Sequence, residues 1–219
     1  MALTNYTELK SSIADFLNRQ DLTAVIPTFI SLAEAQMARD IRHWQMENRA
    51  TATLNDQYLT RPADWVETIR FTVLGNGTRP LQFLSTAAMD QRRSNSNDVA
   101  GEPRYYSNVE DQFEVWPSPS SSVNTELVYI QKIPALSDTA LTNWVISTAP
   151  DIYLYGSLLH SAPYLAEDPR VTVWAQLYGA AVQRLNQESD NSKYSGTGLT
   201  TRIRGLDTSG SSAVRRINA

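Results

Sequence analysis

The spacing of the apolar residues changes twice along this chain, and this constrains the fold more than any single motif. Near the N-terminus they recur every three to four residues, the period of an amphipathic helix, and the same period returns after Pro150. Between these segments, roughly residues 46–134 hold short β-branched and aromatic runs separated by turn residues. The order predicts an α+β fold with an inserted β-region.

Helices from both ends of the chain are expected to pack together as one bundle. The predicted long helices cover residues 5–19, 26–42, 151–162 and 170–188. The predicted division is a helical bundle from residues 1–45 and 148–192, an inserted antiparallel β-rich region over 46–147, and an extended C-terminal arm over 193–219.

Within the β-region, Gly75-Asn76-Gly77 predicts a tight hairpin, because Asn and Gly tolerate positive φ. A short helix is predicted to begin at residues 85–90. Three aromatic or β-branched runs, over residues 104–107, 112–116 and 126–130, predict an antiparallel meander.

Charge is distributed unevenly along the chain. Residues 193–219 carry five basic residues and one Asp, a net charge of +4, and since the total is −4 the other residues carry −8. An acidic body with a basic tail is typical of a terminal arm that holds a partner or nucleic acid. A solvated tail without a partner is the other reading.

Residues for catalysis or metal binding are scarce. Cysteine is absent, and His43 and His160 have no second histidine or carboxylate at ligand spacing. Gly75-Asn76-Gly77 lacks the Lys-Ser/Thr pair of a phosphate loop. We therefore predict no catalytic residues, no metal, no cofactor and no enzyme activity. No apolar run is long enough for a membrane span, so we expect a soluble protein made in the cytoplasm, without a membrane partner.

Several segments together resemble the head-to-tail adaptor, or head-completion, proteins of tailed phages. The resemblance covers roughly residues 5–199, and its order and spacing carry more weight than any one piece. The segments are Tyr6-Thr7-Glu8-Leu9, Ile13-Ala14-Asp15-Phe16-Leu17, residues 26–35, Arg39-Asp40-Ile41-Arg42, residues 101–106, residues 129–137, Thr142-Asn143-Trp144 and residues 149–156.

The resemblance implies a structural virion protein of the neck. It implies a ring of twelve copies that docks on the portal protein, carries tail or nozzle proteins, and surrounds genomic DNA that passes without sequence-specific binding. Glu34 and Arg39 are charged residues inside the matched motif, and we expect them to pair between helices or subunits. The residues expected to bind the portal are Lys193, Arg202, Ile203, Arg204, Leu206, Arg215 and Arg216.

Three alternatives stay open at this point. Another neck or tail-tube ring component would also lack chemistry, although a tail-tube subunit should be dominated by β-structure. A small hydrolase would need a convergent acid, base or nucleophile set. A DNA-binding regulator would need more positive charge than the body offers.

Overall fold

A computed structural model describes residues 3–19, 21–75, 77–95, 100–165 and 168–194. The helices are α1 Tyr6–Leu17, α2 Ile26–Asp40, α3 Thr86–Asn95, α4 Trp144–Thr148, α5 Pro150–His160 and α6 Arg170–Tyr194. The strands are β1 Glu47–Leu54, β2 Tyr58–Thr60, β3 Trp65–Leu74, β4 Arg79–Pro80, β5 Gln82–Phe83, β6 Tyr105–Val109, β7 Gln112–Trp116 and β8 Val123–Gln131. Short 3₁₀ turns lie at Trp44–Met46 and Ala162–Tyr164.

Local capping chemistry sets the helix ends. Asn5 caps α1, because its side chain accepts a hydrogen bond from the backbone N–H of Glu8 at 2.9 Å, and Asn18 ends the helix in the left-handed conformation at φ 52°. Helices α2 and α5 each carry a proline in the first turn, where a missing N–H costs nothing. The four predicted long helices are confirmed, with ends within a few residues except at α6.

The main core lies among α1, α2, α5 and α6, and both ends of the described chain contribute to it. Helix α5 is central and packs on α1, α2 and α6. Gly156 on α5 permits close approach: a Cβ built there would lie 3.2 Å from Cε2 of Tyr178 and 3.3 Å from Cβ of Ala33. Val145 and Ile146 of α4 are buried in the same core.

The β-region forms two sheets that pack on each other. Sheet A has the strand order β1-β8-β3-β4, and sheet B has the order β2-β7-β6-β5. All pairs are antiparallel except the two-residue β5–β6 pair. The small core between the sheets includes Phe71, Tyr106 and Phe113, whose rings lie 5.1–5.9 Å apart.

The α+β class and the inserted strand region are confirmed, and β3 pairs with β4 across the predicted turn, whereas Gln82 and Phe83, also expected in this hairpin, belong to sheet B. The predicted meander is wrong in its third strand. β6 and β7 pair, but β8 belongs to sheet A, between β1 and β3. A nine-residue strand beside the five-residue β7 would leave backbone groups unpaired, whereas the longer β1 and β3 cover both of its sides.

Two further differences concern the C-terminal half. Helix α4 is not predicted by the apolar period, because it is only five residues long. Helix α6 continues to Tyr194, so Lys193 is helical. The rest of the predicted extended arm, residues 195–219, lies outside the described residues. The proposed division into domains stays a prediction.

Candidate interaction site

The end of α6 lies against the segment that leads into β1. Ser189 accepts a hydrogen bond on its hydroxyl from the Trp44 backbone N–H at 2.9 Å, and Lys193 Nζ lies 2.5 Å from Glu47 Oε1. One turn earlier, the Asn186 side chain accepts from the N–H of Arg42. These contacts place Lys193, the first residue expected to bind the portal, at the start of β1.

Glu34 lies on α2 and faces α5 and the loop before α4. Its Oε1 accepts hydrogen bonds from the Leu136 N–H at 2.7 Å and from the Tyr153 hydroxyl at 3.0 Å. Asn143 extends this network, because its side-chain N–H groups reach the Tyr153 oxygen at 2.6 Å and the Pro134 carbonyl at 2.7 Å. Burial raises the pKa of Glu34, and the hydrogen bonds from Leu136 and Tyr153 oppose the rise.

Arg39 lies five residues after Glu34 on α2, and its side chain is exposed. Its positive charge acts with burial to lower the pKa of His160 on α5. It also lowers the pKa of Tyr178 on α6, against the larger effects of burial and Asp40, which raise it. Arg39 therefore faces solvent at the edge of the α2–α5–α6 packing. A role for Glu34 or Arg39 between subunits stays a prediction.

Both histidines have packing partners. His43 is 3% exposed, stacks on Trp144 with ring centroids 5.0 Å apart, and accepts a hydrogen bond from the Gln45 N–H. His160 Nε2 lies 2.9 Å from the Gln36 side-chain oxygen. Burial is the main cause that lowers the pKa of each. Within the described ranges, no group of three or more His, Asp or Glu side chains is arranged to hold a metal ion.

A partly buried ion pair connects α3 to sheet B, and its residues were not predicted from the sequence as a site. Glu114 on β7 is 5% exposed, and its Oε1 accepts from Arg93 of α3 and from the Gln57 side chain, the latter at 2.8 Å. The available signal was an arginine in a predicted helix and a Glu in an otherwise apolar strand. Their pairing depends on the packing of α3 on the sheet, which sequence spacing does not specify.

Five of the large apolar side chains that are exposed in the described residues lie in two groups. The helical patch comprises Phe16, Val173 and Leu177, and the sheet patch comprises Ile69 and Phe83; all five are 41–55% exposed. Val173 and Leu177 are one helical turn apart, and Arg170, the first residue of α6, donates to the Phe16 carbonyl. The sheet patch lines an open groove of about 760 Å³ together with Arg104. Contiguous exposed apolar patches are typical of protein contact surfaces.

The other residues expected to bind the portal lie outside the described residues. They are Arg202, Ile203, Arg204, Leu206, Arg215 and Arg216.

A protein-family model described as SU10 adaptor protein matches residues 4–202. The chain therefore belongs to the SU10 adaptor protein family, a family of phage adaptors, and is a structural component of the virion neck that associates with other neck components. A comparison with curated proteins finds no match.

None of the helices in the described part of the chain is long and apolar enough to cross a membrane.

Proposed function

We propose that this chain is the subunit of a ring, of twelve copies, that docks on the portal protein, links it to the tail and surrounds the channel for genomic DNA. The subunit performs no catalysis in this role and needs no cofactor. The observation that carries the proposal, beyond family membership, is the presence of two different exposed apolar faces on one subunit.

A closed ring needs a heterologous interface, in which one surface of a copy meets a different surface of the next. The helical patch and the sheet patch supply two such surfaces. The helical patch lies on α1 and α6, whereas the sheet patch lines an open groove. We assign the helical patch of one copy to the groove of its neighbour.

The arm supports portal docking by its charge. Residues 195–219 hold four arginines and one Asp, whereas the rest of the chain is acidic. A basic segment attached to an acidic body suits a contact with a separate, acidic surface of the portal. An acidic body also suits a DNA channel, because tight phosphate contacts would resist the movement of the duplex.

The test of docking is a mixing experiment with assembled portal rings, followed by mass measurement of the complex. The full chain should add a stoichiometric ring, and a variant that ends at Ser192 should bind more weakly. If the full chain does not bind portal rings, portal docking is wrong and a role as a more distal neck or tail component takes its place.

The interface assignment has a sharper test on the same portal rings. One variant carries Val173→Glu with Leu177→Glu, the other Ile69→Glu with Phe83→Glu, and Leu141→Glu changes an exposed apolar residue outside both patches. Neither double variant should close a ring by itself, and Leu141→Glu should close a ring normally. A mixture of the two double variants should form pairs of subunits through the patch that each has kept intact. Ring closure by either double variant would contradict the assignment.

A further inference from the structure

The two sheets have four edges, and three of them are blunted against strand addition. Sheet B ends in β2, of three residues, and in β5, of two residues. On one side, sheet A ends in the two-residue β4, which contains Pro80. Strand β3 extends beyond β4, and this uncovered part has two register shifts in its pairing with β8. Short strands, proline and bulges are the means by which proteins prevent unwanted strand pairing.

Strand β1, at the other edge of sheet A, has none of these features. It pairs with β8 over eight consecutive residues without a register shift, and it contains no proline. Six of its eight residues are exposed. Among the described residues, β1 has no strand partner except β8. A long, regular and uncovered edge is a template for another strand.

The hydrogen bonds of β1 show which backbone groups face outward. The N–H of Arg49 is bonded to the Asn48 side chain at 2.8 Å, and the carbonyl of Ala52 accepts from the Thr125 hydroxyl of β8. Because antiparallel strands alternate between residues bonded to the partner and residues facing away, Thr51 and Thr53 belong with Arg49 on the free side.

The chain leaves the described part of the structure beside the beginning of this edge. Lys193, one residue before the end of α6, is paired with Glu47, the first residue of β1, at 2.5 Å. Trp44, 46% exposed, lies at the same junction, because its N–H is bonded to Ser189. The next residues of the chain therefore start within a few residues' reach of β1.

The sequence that follows has the composition of a strand. Ser195-Gly196-Thr197-Gly198 is a short polar link, and residues 199–204, Leu-Thr-Thr-Arg-Ile-Arg, form a β-branched run that ends at Gly205. Six residues in extended conformation span about 20 Å at about 3.3 Å per residue. The eight residues of β1 provide an edge long enough to pair with this run.

We propose that residues 199–204 add to the free edge of β1 in the same chain, as the fifth strand of sheet A. The added strand enters at the Glu47 end and runs parallel to β1. This inference does not rest on portal docking. If the same residues bind the portal, docking releases them and uncovers the edge of β1 for a neighbouring protein.

Residue-resolved hydrogen exchange on the full chain tests the pairing. The amides of Thr51 and Thr53 should exchange at least about tenfold more slowly than in the full-length variants Arg202→Pro and Ile203→Pro. Both variants are needed because adjacent N–H groups point in opposite directions, so only one of them faces β1. Thr208→Pro, beyond the run, should keep the protection. Fast exchange of Thr51 and Thr53 in the unaltered chain would overturn the proposal.

Cross-linking distinguishes the source of the strand, and the absence of native cysteine makes it specific. Thr51→Cys is combined in turn with Thr201→Cys, Arg202→Cys or Ile203→Cys, and with Thr208→Cys as the control. Oxidation should give a cross-linked monomer for at least one of the three pairs and not for the control. A cross-linked dimer would show that the strand comes from a second copy and would overturn the assignment to the same chain.

Discussion

The helical bundle and the sheet pair bury their apolar side chains in different ways. In the described part of the chain, 24 buried residues form the helical core, most of them aliphatic and drawn from four long helices. The core between the sheets has nine, and four of these are aromatic: Phe71, Tyr106, Phe113 and Tyr129. The bundle therefore distributes burial over many small contacts, whereas the sheets depend on a few rings.

The two regions also differ in how they hold a carboxylate that is shielded from solvent, partly at Glu34 and almost fully at Glu114. Glu34 in the bundle accepts hydrogen bonds from a hydroxyl and a backbone N–H, and its pKa is raised by burial. Glu114 in the sheets is paired with Arg93. In the sheets an arginine of α3 neutralises the carboxylate, whereas in the bundle a hydroxyl and a backbone N–H hold it by hydrogen bonds.

The largest expected effect comes from removing one ring from each core. Phe113→Ala and Phe29→Ala should each lower the free energy of unfolding by about 3–5 kcal/mol. Phe113 contacts the rings of Trp65, Phe71 and Tyr106, so its loss should speed hydrogen exchange mainly in β6 and β7. Phe29→Ala should speed exchange throughout the bundle. If each variant speeds hydrogen exchange equally in α5 and in β7, the two cores unfold as one unit.

Overpacking the bundle should have the next largest effect. Gly156→Leu places side-chain atoms where Tyr178 and Ala33 already lie within 3.3 Å of a Cβ, and should cost about 1–3 kcal/mol. Gly179 on α6 is the control, since a Cβ there meets nothing within 4 Å. Gly179→Ala should stabilise by about 0.5–1 kcal/mol through helix propensity. Chemical denaturation measures the free energy of unfolding of both variants. An unchanged value for Gly156→Leu would contradict the tight packing around Gly156.

Replacing each carboxylate by an uncharged amide should change the free energy of unfolding by different amounts at the two sites. Glu114→Gln loses the charge-assisted bond to Arg93 and should cost about 1.5 kcal/mol at neutral pH, whereas Glu34→Gln keeps an oxygen acceptor and should cost little. The raised pKa of Glu34 means that its contribution to stability is greatest below the ordinary value of 4.5 and falls as pH rises through the raised value. Glu34→Gln should remove that slope in denaturation curves measured between pH 4 and 7.

The smallest effect should come from His160. Burial, together with Arg39, lowers its pKa below the ordinary value of 6.5, so the folded protein binds this proton less readily than the unfolded chain. Stability from this group is present above pH 6.5 and is lost as pH falls through the lowered pKa. Glu34→Gln removes the opposing pH dependence of Glu34. In that background, His160→Gln should reduce the loss of unfolding free energy measured as the pH falls from 7 to 5.5. An unchanged decrease would assign it to His43.

The features that the sequence predicts well are those specified locally. The period of Leu9 and Ile13, the cap at Asn5 and the prolines at positions 27 and 150 determine helices from neighbouring residues alone. The hairpin between β3 and β4 is likewise predicted by its turn residues.

The features that the sequence does not predict depend on contacts between distant residues. The position of β8 between β1 and β3, the pairing of Glu114 with Arg93 and the burial of the short α4 are decided by packing. Glu34 was singled out as a charge within a motif, but its hydrogen bonds to Leu136 and Tyr153 join residues more than 100 positions apart. Spacing along the chain carries no information about such pairs.

The helical core joins α1 and α2 to α5 and α6, and this has a consequence during synthesis on the ribosome. After α2 is complete, about 110 further residues must be translated before α5 begins, which takes about 5–20 s at typical elongation rates. Through that interval the apolar faces of α1 and α2 lack α5, on which both of them pack, whereas the strands of sheet A have their partners as soon as β8 emerges. We expect the nascent chain to close its sheets first and its bundle last.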